Sequence, residues 1–148
     1  MFKHLLVTFD GTPRSEAVIP HATAIATGMS AEVTLLRIVD AVSGDWSERG
    51  ALGRQQPNTA IRSLFVEQAE AYLDRLAGQF RQRGIAATTL VKQGPPAKQI
   101  VETATEIDAD AIVMATHSRR GLNKLMFGSV AEAVLHETSV PILLVRSE

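Results

Sequence analysis

Residues 111–145, Ala111-Ile-Val-Met-Ala115-Thr-His-Ser-Arg-Arg-Gly-Leu-Asn-Lys-Leu-Met-Phe-Gly128-Ser129-Val-Ala-Glu-Ala-Val-Leu-His-Glu-Thr-Ser-Val-Pro141-Ile-Leu-Leu-Val145, decide the fold. They open on the apolar run Ala111–Ala115 and pass through a loop carrying glycine and basic residues. A segment with Val130, Ala131, Val134 and Leu135 at helical spacing follows, and the stretch closes on the apolar run Ile142–Val145. Neither run alternates polar with apolar residues, the pattern expected of strands buried on both faces, and such strands belong to parallel sheets. A helix between two parallel strands is a crossover, so the stretch is one βαβ unit.

The same reading extends to the N-terminus. Leu5–Phe9, Val33–Ile38 and Ala87–Val91 are further short apolar runs, mostly β-branched. Helical spacing lies between them: Ala17, Val18, Ile25 and Met29; then Ile61, Leu64, Phe65, Tyr72, Leu76 and Phe80; then Ile100, Val101, Ala104 and Ile107. The order is βαβαβαβαβ, which predicts an α/β fold: a doubly wound five-stranded parallel sheet with helices on both faces. Pro95-Pro96 precedes the third helix, Gly84 follows the second, and Asp108-Ala-Asp110 turns into the fourth strand. Pro20 conflicts with a first helix begun at Thr12-Pro13, because an interior proline cannot donate to the carbonyl four residues back. A kink there, or a helix start near Ser15, is expected. Residues 41–58, which include Trp46, show no sustained period and read as a long excursion between the second strand and the second helix.

Length and composition narrow the function. The 148 residues suit one domain, 1–148, and 45% hydrophobic against 21% charged residues describes a folded globular chain. A net charge of −1 argues against a nucleic-acid partner, and the 5% aromatic content leaves few stacking platforms. The absence of cysteine removes disulfides, thiolate metal sites and cysteine nucleophiles, and the cytoplasm is the expected compartment. The N-terminal apolar run is too short for a membrane span, so neither export nor a membrane partner is expected. His4, His21, His117 and His136 lack metal-binding spacing. The P-loop, Gly-x-Gly-x-x-Gly and Gly-x-Ser-x-Gly patterns are all missing.

Ligands of doubly wound sheets bind beyond the carboxyl ends of the strands. Two of those ends carry chemistry here: Asp10-Gly-Thr12 after the first strand and residues 115–129 after the fourth. Gly128-Ser129 opens a helix, whose free amides and positive dipole end favour an anion. Arg119, Arg120 and Lys124 share the loop, and the small residues Ala115, Ser118, Gly121 and Gly128 would let backbone approach a phosphate chain. Ser129-Val-Ala-Glu132 equally fits a capping box, and Asp10 equally fits a simple turn residue.

On these residues the chain resembles the universal stress protein family. The family's nucleotide-binding signature is Gly-x2-Gly-x9-Gly-[Ser/Thr]. Its spacing is kept at Gly128-Ser129, while Ala115 and Ser118 stand where the first two glycines would be. Val91-Lys-Gln-Gly-Pro-Pro-Ala97, Asp110-Ala-Ile-Val-Met-Ala-Thr-His117 and Val140-Pro-Ile-Leu-Leu-Val145 extend the resemblance over essentially the whole chain.

The resemblance implies an adenine nucleotide alpha hydrolase-like sheet of strand order 3-2-1-4-5. It also implies a regulatory stress-response protein that binds ATP or another adenine nucleotide, with magnesium, and hydrolyses it slowly or not at all. Asp10 would then contact the adenosine, and the backbone around Ile38 the adenine edge. Ala115 and Ser118 would line the ribose-phosphate path, with Arg119 beside it, and Gly128 and Ser129 would hold phosphates. The added side chains of Ala115 and Ser118 would narrow that path. The resemblance further implies a homodimer through strand 141–146. The competing reading is a nucleotide-independent dimeric interaction module of the same fold. An adenylate-forming ligase would need a Ser-Gly-Gly-x-Asp-Ser loop, where this chain has Asp10-Gly-Thr-Pro-Arg-Ser15.

Overall fold

Every apolar run forms a strand that continues past its apolar residues: β1 His4–Phe9, β2 Glu32–Val39, β3 Ala87–Gln93, β4 Ala111–His117 and β5 Ile142–Ser147. The computed structural model describes residues 1–39, 59–117 and 128–147. The helices are α1 Val18–Met29, α2 Thr59–Gln82, α3 Pro96–Glu106 and α4 Ser129–Glu137, and a 3-10 turn spans Pro13–Ala17. The strands pair in the order β3-β2-β1-β4-β5, all parallel, as the resemblance implies.

Alternation along the pleat divides the core in two. Leu5, Val7, Phe9, Val33 and Leu35 face α1 and α2, where Val18, Ala22, Leu73, Leu76 and Phe80 meet them. Leu6, Leu36, Ile38, Ile112 and Met114 face α3 and α4, against Ile100, Ala104, Ala131 and Val134. The central strands are thus covered on both sides, which is why their sequences are predominantly apolar without polar alternation.

Pro20 neither kinks nor ends a helix. The chain leaves Thr12 through the 3-10 turn and starts α1 only at Val18, so Pro20 falls in the first helical turn. An amide there has no intrahelical acceptor to lose.

The apolar faces also differ from simple periodicity. Met29 is exposed, and the buried face of α1 is Val18, Ala22, Thr23 and Ala26. Among the described side chains of α2, the first buried one is Ala69, while Leu64 and Phe65 are 52% and 42% exposed. The cause is length: the 24 residues of α2 span about 36 Å. The 7-residue strand β3 that it precedes covers only about 23 Å. The first turns of α2 therefore run beyond the carboxyl edge of the sheet.

The opposite edge is tied by Asp110. Its carboxylate accepts the amides of Lys3 (2.8 Å) and His4 (2.9 Å), and its own amide donates to the His4 carbonyl at 2.8 Å. Those two backbone bonds hold its pKa below the usual carboxylate range.

Candidate functional site

The winding runs outward from β1 through β2 to β3, then returns to place β4 on the other side of β1. The reversal opens a crevice at the carboxyl ends of β1 and β4. Around it the structure gathers Asp10 just after β1, Ile38 near the end of β2, Ala115 near the end of β4, and Gly128 and Ser129 at the start of α4. The end of α4 lies at the amino edge, because the Pro141 carbonyl after it accepts the amide of Ile112 at 2.9 Å. Its beginning therefore faces the crevice. Ser118 and Arg119 lie outside the described residues, as do Arg120, Lys124 and the excursion 41–58 with Trp46.

Local chemistry builds the β1 side. Asp10 is exposed, and its Oδ1 accepts both the amide (2.8 Å) and the hydroxyl (2.6 Å) of Thr12, closing an Asx-turn. Gly11 sits at φ +87°, a left-handed conformation that side chains disfavour. The Ser15 hydroxyl donates to the Thr12 carbonyl at 2.8 Å and fastens the turn to the 3-10 segment. The turn role of Asp10 is thus real, and it sets the carboxylate on the rim of the crevice.

The α4 side departs from one sequence expectation. Ser129 does not cap the helix: Gly128, at φ 88° and ψ 147°, is the N-cap, and Ser129 is the exposed first helical residue. Among the described residues no side chain caps this end, and the Gly128 carbonyl takes the Glu132 amide at 3.0 Å. Among the described residues, a β-carbon built on Gly128 would meet nothing within 4 Å, so none of them fills the space at the helix start. The first-turn amides are directed at that space.

Two neighbours were not anticipated. Arg37, in β2, donates from Nη1 to the Ile38 carbonyl at 2.7 Å, and its guanidinium lies against Gly11, where a β-carbon would come within 3.0 Å of Nη2. The available signal was a single charged residue within the apolar run Val33–Val39. Tyr72, in α2, meets Phe9 edge-on at 6.4 Å, lies under the Arg75 guanidinium at 5.4 Å, and donates to Glu16 Oε2 at 3.0 Å. It braces the 3-10 segment from the helix side.

Burial, followed by the hydrogen bond to Glu16, pushes the Tyr72 pKa up to about 12 from its ordinary 10.0. The fold thus favours the protonated phenol. Its contribution to stability is complete below pH 10 and is lost as the pH climbs towards 12. Tyr72 is the chain's single tyrosine, so tyrosinate absorbance reads it alone. The expected midpoint is about 12 while far-UV circular dichroism remains native; a native-state midpoint near 10 would contradict the packing described.

Among the described residues no group of three or more His, Asp or Glu side chains is arranged to hold a metal ion. Among them also, no helix is long and apolar enough to cross a membrane.

An all-parallel sheet that reverses its winding at β1 and β4, with a helix starting over the reversal, defines a doubly wound α/β protein, a class whose ligands sit at the carboxyl edge. The chain belongs to the universal stress protein family, whose model matches residues 1–146. It is 29% identical over 153 residues to universal stress protein MJ0531 of Methanocaldococcus jannaschii, covering 99% of this chain and 83% of that one. Among solved structures, MJ0577 of the same organism superposes with a TM-score of 0.82 at 24% identity, covering 100% of this chain and 98% of that one. The universal stress protein from Archaeoglobus fulgidus in complex with dAMP gives a TM-score of 0.64 at 21% identity, over 98% of both chains. These two likenesses establish the fold.

Proposed function

We propose that the protein is a cytoplasmic regulatory protein of the stress response that binds ATP, or another adenine nucleotide, in the crevice at β1 and β4. The observation that carries this reading is Gly128: a positive-φ N-cap at a helix start that no described residue caps or fills. This arrangement suits a phosphate chain, since a cap would compete for the amides and a β-carbon would intrude. The dAMP bound by the Archaeoglobus fulgidus protein of the same fold favours an adenine nucleotide. In this reading Asp10 meets the adenosine and the Ile38 backbone meets the base. Ala115 and Ser118 line the path, with Arg119 beside it, and Gly128 and Ser129 hold phosphates. Magnesium would be carried mainly by the phosphates, as is usual for this ion.

The role is binding rather than turnover, and the unit of action is the single domain 1–148, paired as a homodimer along β5. Neither nucleic acid nor membrane is a partner in this reading.

Thermal denaturation with ATP and magnesium tests it. A ligand that binds only the native state at a hundredfold excess over Kd adds about 2.7 kcal/mol, which for a domain of this size raises Tm by roughly 5–10 °C. No shift at millimolar ATP would transfer the function to the dimeric interaction module.

A further inference from the structure

We propose that Arg37 is a specificity latch at the base end of the crevice, holding the main-chain acceptor that an adenine ring must claim. The proposal rests on the adenine-nucleotide reading and goes beyond it, by assigning a residue that sets which base is admitted and how tightly.

The pairing of β1 with β2 ends at Phe9↔Arg37, whereas β2 continues beside β3 to Val39↔Gln93. Ile38 is thus the first residue of β2 without a Cα partner in β1. The Ile38 side chain is buried against the α3 and α4 core, which leaves its main chain to meet a ligand. At that main chain the Arg37 Nη1 donates to the Ile38 carbonyl at 2.7 Å. The guanidinium plane rests on Gly11, whose missing side chain is what lets Nη2, Cζ and Nε approach: a β-carbon would sit 3.0, 3.2 and 3.2 Å from them. Gly11 follows Asp10 directly, so the latch spans both ends of the adenosine slot.

A 6-amino purine presents a donor at its edge and needs a carbonyl to receive it. Arg37 already supplies a charge-assisted donor to that carbonyl, so an adenine ring has to displace or share it. A 6-oxo purine presents an acceptor at the same position and gains nothing from a freed carbonyl. Arg37 therefore weakens adenine binding selectively and lowers the preference for adenine over guanine.

Arg37→Met keeps an apolar stem of similar reach over Gly11 and removes every donor. In the full chain, with far-UV circular dichroism confirming the fold, calorimetric titration is expected to give an ATP Kd about tenfold lower than the parent's, the size of a lost hydrogen bond to a charged group. The GTP affinity is expected to stay unchanged. An ATP Kd that is unchanged or higher, with the parent binding ATP normally, overturns the latch and leaves the nucleotide reading intact. Parallel tightening of ATP and GTP also overturns it, because the effect would then be access rather than recognition. If neither protein binds ATP, the nucleotide reading fails and the latch fails with it. Should Arg37→Met not fold, Arg37→Gln, neutral and shorter, is expected to shift ATP in the same direction under the same criteria.

Discussion

Leu143→Lys is expected to convert a two-fold homodimer into monomers. β5 lies at one edge of the sheet, so among the described residues one side of its backbone has no strand partner. The two edges differ in chemistry. β3 carries Thr88, Thr89, Lys92 and Gln93, and Lys92 is paired with Glu106 at 3.0 Å. Charged and polar residues of this kind blunt an edge. β5 instead presents Ile142, Leu143, Leu144 and Val145, with Leu143 37% exposed. An apolar edge with free backbone groups is stabilised by pairing with a second copy, and antiparallel pairing about a two-fold axis satisfies both chains at once. Because the interface repeats every residue, one substitution introduces two ammonium groups. Burying each would cost several kcal/mol, on the order of the whole association energy of a modest interface. In a monomer the lysine would remain in water, so stability should fall far less than association. Analytical ultracentrifugation at tens of micromolar is the measurement. A parent that sediments as a monomer would remove β5 as an interface.

Gly128→Val is expected to abolish the stabilisation by ATP while the sheet remains folded. A β-branched residue is strained at φ 88°, and relieving the strain would rotate the first amides of α4 away from the crevice. The γ-methyls would also occupy space next to the glycine that no described residue fills. In the absence of ligand the substitution should cost about 1–3 kcal/mol, the usual price of a strained backbone residue. The decisive quantity is the shift caused by ATP, measured against each variant's own baseline. Gly128→Ala separates the two causes, since it keeps the φ penalty and adds the smallest possible side chain. Undiminished ATP binding by Gly128→Val would mean that phosphates are held somewhere other than the start of α4.

What the amino-acid sequence determined by itself was the set of elements and their layering. Runs such as Leu5–Phe9, apolar but for Thr8, and Ala111–Ala115 show no polar alternation, and only strands covered on both faces account for that without exposing apolar surface to water. Pro95-Pro96 and Gly84 carry their meaning locally, through a fixed φ and through tolerance of a positive one. The candidate site was legible where a backbone motif marks it, at Asp10-Gly11-Thr12 and Gly128-Ser129.

Tertiary structure decided the features that depend on where an element lies relative to its neighbours. Leu64 and Phe65 match the helical period of Tyr72 and Phe80 yet stay exposed, because α2 is longer than the strands it covers. Ser129 fits a capping box, yet Gly128 takes the cap position, because the chain enters α4 through a conformation only glycine adopts readily. Arg37 is a lone charge in an apolar run, and its partner is a carbonyl one residue away. The contact that gives it a role, the face of Gly11, comes from the turn after a different strand. Periodicity and capping patterns are properties of one segment, whereas overhang, cap choice and the seat of a guanidinium are properties of two segments brought together.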